Sequence, residues 1–182
     1  MNIFRNTPCK QSGTSMIEVL VTLIILLVGL LGLAGLMMQG QRSEMESYQR
    51  VQALVLLQDM VGRINASRLN AASYVANVGT GDTQPAASAC AAQATIPARD
   101  LCEWSNALKG AAEAGNTGAM LGGRGCVTYN AASSVAMVSV AWQGLGDTAA
   151  PPASLSCGTG LYSSETKRRV VSMPVTFGCL TC

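Results

Sequence analysis

The sequence predicts an α+β fold: a long N-terminal spine helix packed on a small antiparallel β-sheet head that carries disulfides. Three observations support this prediction. An uncharged apolar run, Val19–Met38, continues into an amphipathic stretch that reaches Arg68. Three strand candidates occur in the last third of the chain, and six of the seven cysteines lie beyond the apolar run. A length of 182 residues suits one domain with an attachment segment.

Composition and charge disfavour an enzyme. Histidine is absent, which removes the usual general base near neutral pH and the commonest metal ligand. No nucleophile–base pair or paired-carboxylate spacing emerges, and we expect no catalytic residue, no cofactor and no metal. The twelve Lys and Arg residues are scattered, apart from a run at 167–169. We interpret that run as a solvated strand end, and nucleic acid is not an expected partner.

The apolar run is long enough to cross a membrane. Its 20 residues, at about 1.5 Å per residue, span roughly 30 Å of hydrocarbon. The preceding segment carries Arg5 and Lys10 but no acid, which predicts a cytoplasmic N-terminus. A secretory signal peptide and a plain single-pass anchor are the alternatives. The residues before the run distinguish between them.

Glu18 stands immediately before the apolar run, where a carboxylate is costly to bury unless it is paired. A glycine at position 13 precedes it by five residues, in the order Ser-Gly-Thr-Ser-Met-Ile-Glu. Together with the apolar run, this pattern resembles the class III signal of type IV pilins and their relatives. The resemblance implies that a prepilin peptidase cuts between Gly13 and Thr14 and methylates the new N-terminus. Residues 1–13 are then a leader peptide.

A physical role for Glu18 follows from this cleavage. The new amine of Thr14 lies one helical turn from the Glu18 carboxylate. In a membrane or a fibre core the two charges could neutralise each other within one subunit or between neighbours. Loss of the leader leaves ten basic and ten acidic groups, so many copies can pack without long-range repulsion. We therefore expect Glu18 to act in assembly.

One helix is predicted from about Ser15 to Arg68. Residues 14–40 form its hydrophobic half, for the membrane or the fibre core, and residues 41–182 supply its amphipathic half and a periplasmic globular head. Two pairs at i,i+4 spacing with the acid first, Glu46/Arg50 and Asp59/Arg63, support the helix. A stripe at three–four spacing is expected to face the head: Val51, Leu54, Leu57, Val61 and Ile64.

In the head, composition predicts a loop over Asn70–Pro97 and a short helix over Ala98–Ala114. Trp104, on one face of that helix with Leu101 and Leu108, is expected to be a core residue. Strands are predicted at Cys126–Asn130, Ser134–Gln143 and Arg168–Phe177, with a surface loop over Gly144–Ser164. Pro174 indicates an edge position or a bulge for the last strand.

Cysteine usage indicates an oxidising compartment. Cys9 lies in the leader, which leaves an even number: Cys90, Cys102, Cys126, Cys157, Cys179 and Cys182. Six cysteines allow fifteen connectivities, and the sequence does not choose among them. One scheme pairs Cys90 with Cys102, Cys126 with Cys157, and Cys179 with Cys182. A metal knuckle or a redox pair at Cys179–Cys182 is the competing interpretation.

The helix sequence, with Asp100-Leu101, Trp104 and Val138–Trp142, is similar to the PilV type of minor pilin. That resemblance implies a low-abundance subunit which, with other minor pilins, primes assembly of the type IV pilus, with the fibre tip as an expected location. The implied partners are the other minor pilins, the major pilin, the prepilin peptidase, the inner-membrane assembly platform and, before assembly, membrane lipid. A type II secretion pseudopilin and a tip adhesin or binding module remain as alternatives.

Overall fold

The computed structural model describes residue 13, residues 15–111 and residues 120–177. Helix α1 spans Met16–Ala66 and helix α2 spans Ile96–Leu108, with 3-10 helices at Arg68–Tyr74 and Ala87–Ala92. The strands are β1 Ala76–Gly79, β2 Arg124–Asn130, β3 Val135–Gln143 and β4 Arg168–Thr176. A long N-terminal helix, a four-stranded antiparallel sheet and two disulfides confirm the predicted α+β, type IV pilin-like fold.

The chain divides into two compact units, residues 1–43 and residues 44–182, and the boundary falls within α1. In the first unit, residues 16–43 are helical and exposed throughout. An α-helix satisfies its own backbone groups, so this apolar sequence can be helical without packing on a sheet. The second unit holds the rest of α1 and the whole head.

The sheet has the order β1-β2-β3-β4, with every neighbouring pair antiparallel. The three predicted strands are confirmed within two residues at each end. β4 is an edge strand, as Pro174 indicated, and Pro174 lies opposite Met137 of β3. An edge tolerates a residue without a backbone N–H.

The continuous loop predicted for Asn70–Pro97 is wrong. β1 pairs with β2 there, and both 3-10 helices also fall in or overlap this stretch. β1 has only four residues, Ala-Asn-Val-Gly, of which Val78 alone favours a strand by its side chain. The partner strand therefore supplies the order that local composition does not.

The boundaries predicted for α2 are corrected at both ends. The helix begins at Ile96 instead of Ala98 because Thr95 is its N-cap, with Oγ1 accepting the Ala98 N–H at 3.3 Å. It ends at Leu108 instead of Ala114, followed by a turn in which Gly110 adopts a φ of +76°. Residues 112–114 of the predicted helix lie outside the described residues.

Trp104 is a core residue, as predicted. Its side chain is fully buried, and its Nε1 donates to the Leu56 carbonyl oxygen of α1 at 2.9 Å. Gly125 of β2 lies against the ring: a Cβ atom there would come within 2.3 Å of Trp104 Cη2. Only glycine allows the indole to lie this close to the strand, so one side chain links α2, α1 and the sheet.

The face of α1 that packs on the head differs from the predicted stripe. Leu57 and Ile64 are buried, but Val51 and Leu54 are exposed and Val61 is half-buried. The buried positions are Gln49, Ala53, Leu57, Met60 and Ile64. This part of α1 carries more apolar residues than one face can bury, so periodicity alone does not select the face. The small side chain of Ala53 leaves room for the rest of the head to lie close to the backbone of α1.

Candidate functional site

The first candidate for a functional surface is the exposed apolar part of α1. Helix α1 begins at Met16, and in its first turn the Glu18 N–H donates to the Ser15 carbonyl oxygen at 3.0 Å. Among the described residues, α1 is the one helix long and apolar enough to cross a membrane. Its most apolar stretch has no residue buried within the chain. This surface has the character of one that contacts lipid or other helices.

The predicted processing residues lie at the start of this surface. Gly13 is exposed, while Thr14 lies outside the described residues. Glu18 is also exposed and occupies the first turn of α1. Cleavage at Gly13, methylation at Thr14 and charge pairing by Glu18 therefore stay predictions.

The head is cross-linked at two places. Cys90 and Cys102 form a disulfide between the second 3-10 helix and α2, with Cα atoms 5.5 Å apart. Cys126 and Cys157 form another between β2 and the segment after β3, with Cα atoms 5.8 Å apart. Both are pairings of the expected scheme. Cys179 and Cys182 lie outside the described residues, so their pairing stays a prediction.

Arg63 joins α1 to α2 through a cluster of charges. Its Nε donates to Asp59 at 3.0 Å, as the i,i+4 spacing predicts, and its Nη1 donates to Asp100 at 3.0 Å and Glu103 at 2.6 Å. Burial lowers the pKa of Arg63, but the Glu103 and Asp59 carboxylates outweigh burial and raise it above its usual value. Arg63 is therefore a fixed cation that orients α2 on α1.

Tyr74 completes this cluster from the first 3-10 helix. Its hydroxyl is buried and donates to Asp100 at 2.6 Å. Burial, reinforced by the hydrogen bond to the Asp100 carboxylate, raises the pKa of Tyr74 to about 12. A neutral hydroxyl and a charged carboxylate are held together, which is an arrangement for stability rather than for proton transfer near neutral pH.

Asp82 organises the turn after β1. Its carboxylate accepts from the Gly79 N–H at 2.8 Å, the Ser105 hydroxyl at 2.6 Å and the Lys109 ammonium. Burial raises the pKa of Asp82, but the bonds from Lys109, Ser105 and the backbone outweigh burial and lower it below its ordinary value. Asp82 thus fastens the turn to α2 as a carboxylate.

The basic run at 167–169 is not the solvated strand end that its sequence indicates. Arg168 is buried: Nη1 donates to the Leu155 and Cys157 carbonyl oxygens at 2.6 and 3.1 Å, and Nε donates to Glu165 at 2.5 Å. Arg169 donates to Glu46 of α1 at 2.9 Å, so Glu46 binds Arg169 rather than the predicted Arg50. Both arginines are structural, which weakens the run as a nucleic-acid surface.

Sequence patterns missed several of these residues. Tyr74, Asp82 and Arg168 each bind at least one partner that is 11 to 27 positions away, and helical or strand periodicity carries no signal for such contacts. Thr95 followed by Ile96 and Pro97 was a usable signal for the start of α2. Among the described residues, no group of three His, Cys, Asp or Glu side chains is placed to hold a metal ion.

Comparison with known protein families gives a match over the middle of the chain. Residues 36–107 match the family model described as Tt1218-like: Type IV pilin Tt1218. The matched stretch is about two-fifths of the chain and runs from the middle of α1 to the end of α2. Type IV pilins are structural subunits rather than enzymes, and the match supports a pilin subunit. No curated protein and no solved structure matches the chain.

Proposed function

We propose that this chain is a minor pilin of the PilV type, which helps to prime assembly of a type IV pilus. One observation carries the proposal: an exposed, uncharged helical segment follows directly after Glu18, and the same chain continues into a disulfide-bonded α+β head. The pilin match begins at residue 36 and so does not include the Gly13–Glu18 pattern. The two are therefore separate lines of support.

In this proposal, prepilin peptidase removes residues 1–13 and methylates Thr14. Residues 14–40 cross the inner membrane with the N-terminus in the cytoplasm, and residues 41–182 supply the periplasmic part. An oxidising periplasm is consistent with the two head disulfides. Once extracted by the assembly platform, the apolar segment exchanges lipid for the helices of other pilins in the fibre, and this subunit lies at the fibre tip.

The competing function is that of a type II secretion pseudopilin, which would use the same leader, helix and peptidase. The pilin match and the two head disulfides favour the pilus. The alternative of a tip adhesin adds a binding role to the pilin role rather than replacing it.

Deletion of the gene separates the two systems. We expect loss or strong reduction of surface pili, counted by electron microscopy, with secreted exoproteins at the parental level. Complementation with the wild-type gene restores the pili and is the control. Normal piliation with loss of exoprotein secretion would instead assign the chain to the secretion system.

Processing is tested separately with Gly13→Val, because a β-branched side chain does not fit a cleavage site built for glycine. Intact-mass measurement of membrane fractions should show the uncut chain for this variant and a methylated chain starting at Thr14 for the wild type. Ser12→Val, one residue earlier, is the matched control and should still be cut. A mature species from Gly13→Val would remove the processing assignment.

A further inference from the structure

The head contains a cavity of about 380 Å³ on the sheet face that does not contact α2. On β2, Gly125 and Val127 turn toward the helices, so Arg124, Cys126 and Thr128 alternate onto the opposite face. Asn77 of β1, paired with Cys126, belongs to the same face. These side chains line the cavity, and residues 156–161 enclose it from the other side. Its volume lies within the range of roughly 300–1,000 Å³ typical of small-molecule sites.

The segment that encloses the cavity is held in place by several independent bonds. The Cys126–Cys157 disulfide ties it to β2, and Arg168 binds the Cys157 carbonyl oxygen at 3.1 Å. The Gly160 N–H donates to Glu165 at 2.8 Å, and the Tyr162 hydroxyl donates to the Gly122 carbonyl oxygen at 3.0 Å. A cavity with walls fixed in this way loses little conformational freedom when a ligand enters it.

Arg124 gives the cavity an uncompensated positive charge. Its Nε is buried without a hydrogen-bond partner, and among the described residues no carboxylate lies within 4.0 Å of its guanidinium. Asp82 also lines the cavity, but its carboxylate is already bound to Lys109, Ser105 and two backbone N–H groups. An arginine in this state is suited to bind a planar carboxylate through two parallel hydrogen bonds.

The remaining polar lining is neutral and rich in hydroxyl and amide groups: Asn77, Thr128, Ser156 and Thr159. Such groups both donate and accept, as do the hydroxyls of a sugar. The cavity has one arginine, Arg124, and the Asp82 carboxylate also lines it. A ligand with a single negative charge fits this balance better than a phosphate dianion, which the carboxylate would repel more strongly. Leu161 supplies apolar contact for the C–H faces of a ring. We propose that this cavity binds a carboxylated sugar, such as a hexuronate residue of an acidic polysaccharide.

The test uses the full chain in detergent micelles and methyl β-D-glucuronide as the probe, with binding followed by saturation-transfer NMR and by titration of backbone amide signals. The expected result is saturable binding that shifts the amides of residues 77–82, 124–128 and 156–161. Methyl β-D-glucoside, which lacks the carboxylate, should bind at least roughly tenfold more weakly. Equal binding of the two sugars, or no binding of the glucuronide, overturns the proposal.

Variants test the role of the guanidinium. Arg124→Gln keeps a polar side chain and removes the charge, so it should weaken glucuronide binding by roughly tenfold or more. Arg99→Gln, at an exposed arginine of α2 outside the cavity, is the matched control and should bind as the wild type does. Intact Cys90–Cys102 and Cys126–Cys157 disulfides and an unchanged thermal unfolding midpoint show that Arg124→Gln is folded. A folded Arg124→Gln that binds normally overturns the proposal.

Simple anions distinguish sugar recognition from anion binding. Acetate and inorganic phosphate should displace the glucuronide only at concentrations at least roughly tenfold higher than its own. Thr128→Val replaces one hydroxyl by a methyl group and should weaken the glucuronide while leaving acetate unchanged. Displacement by acetate or phosphate at equal concentration would show an anion site without sugar specificity and would overturn the carboxylated-sugar assignment. This inference does not depend on the pilus role, because its measurements are made on the isolated chain.

Discussion

Arg169 Nη2 donates to Glu46 Oε1 at 2.9 Å and so joins the edge strand β4 to α1 across 123 positions of sequence. The same guanidinium donates to the Gly146 carbonyl oxygen at 2.8 Å and the Thr166 carbonyl oxygen at 2.9 Å. One side chain therefore holds the start of the head segment of α1, the loop after β3 and the beginning of β4. The arginine is largely buried, and the glutamate is about one-third exposed.

This ion pair should stabilise the head measurably. Arg169→Gln leaves Glu46 and two carbonyl oxygens without their donor, and we expect it to lower the free energy of unfolding by about 1–3 kcal/mol. Glu46→Gln removes only the charge and should lower the free energy of unfolding by about 1 kcal/mol or less. The double variant should show a coupling of at least about 0.5 kcal/mol. Urea unfolding of the full chain in micelles, followed by tryptophan fluorescence, measures all three values.

Arg50→Gln is the matched control, because Arg50 is the partner that helical spacing predicts for Glu46. Combined with Glu46→Gln, it should show no coupling beyond experimental error. A coupling between positions 46 and 50 that equals the coupling between 46 and 169 would contradict the observed pairing.

The long helix and the strands of the head could be predicted from sequence because their signals are local. An uncharged run, i,i+4 ion pairs and the absence of proline identify α1, and Val-rich alternation identifies β3. Trp104 was identified as a core residue because a large apolar side chain shared a helix face with Leu101 and Leu108. For the cysteines, the expected scheme included both disulfides, although the sequence itself allows many others.

The missed features depend on contacts between distant segments. β1 is a strand because β2 pairs with it, and the buried face of α1 is decided by what packs against the helix rather than by its own apolar pattern. The two arginines of β4 are structural because carbonyl and carboxylate groups from other segments surround them. Arg124 lines a cavity whose other wall comes from a segment that the Cys126–Cys157 disulfide ties to β2. None of these contacts produces a repeating pattern of apolar and polar residues that could be recognised in the sequence.

Gly125 should tolerate no side chain. In Gly125→Ala, the new Cβ would meet the Trp104 ring at 2.3–2.4 Å and Leu108 Cδ1 at 2.7 Å. The ring is held by its hydrogen bond to the Leu56 carbonyl oxygen. We therefore expect Gly125→Ala to lower the free energy of unfolding by about 3 kcal/mol or more. Gly62→Ala in α1, where a Cβ meets nothing within 4 Å, is the control and should stabilise by up to about 1 kcal/mol. If the two variants have the same thermal unfolding midpoint, the close packing of Trp104 on Gly125 is contradicted.

Asp82 should make the head sensitive to acid. Its pKa is lowered in the folded state, so its contribution to stability is present above the ordinary value of 3.8 and is lost as the pH falls through the folded value. Asp82→Asn should therefore destabilise the chain at pH 6, and its difference from the wild type should shrink as the pH is lowered below about 4. Lys109→Met, which removes the partner cation, should reproduce this trend. Urea unfolding at a series of pH values measures this difference. If Asp82→Asn and the wild type differ in free energy of unfolding by the same amount at pH 6 and at the lowest pH, the carboxylate of Asp82 is not the cause.

The disulfides should carry much of the stability of the head. The Cys126–Cys157 bond closes a sequence separation of 31 and the Cys90–Cys102 bond one of 12. Replacing both cysteines of either pair by serine should cost about 2–4 kcal/mol, with the larger loss for the longer loop. Alkylation under denaturing, non-reducing conditions should find no free thiol among the six cysteines beyond the leader. Two reactive thiols at Cys179 and Cys182 would remove only the predicted third bond, whereas four or more would contradict the framework.

Glu18 provides the sharpest test of assembly. Membrane insertion does not need its carboxylate and is opposed slightly by the cost of desolvating it. A benefit must therefore arise when subunits leave the bilayer and meet, and a bond to a cationic N-terminus, its own or a neighbour's, would set the axial register of docking. Glu18→Ala and Glu18→Gln should both be cut and reach the membrane at normal levels.

Both Glu18 variants should nevertheless co-purify poorly with the other minor pilins and restore few surface pili to a deletion strain. Agreement between them attributes the effect to charge, because glutamine keeps the size and polarity of the side chain. Glu44→Gln, which removes an exposed carboxylate from the same helix beyond its hydrophobic half, should assemble normally. If Glu18→Gln restores pili to the wild-type number while Glu18→Ala does not, the role of Glu18 is hydrogen bonding rather than charge. If both restore pili fully, the position has no assembly role.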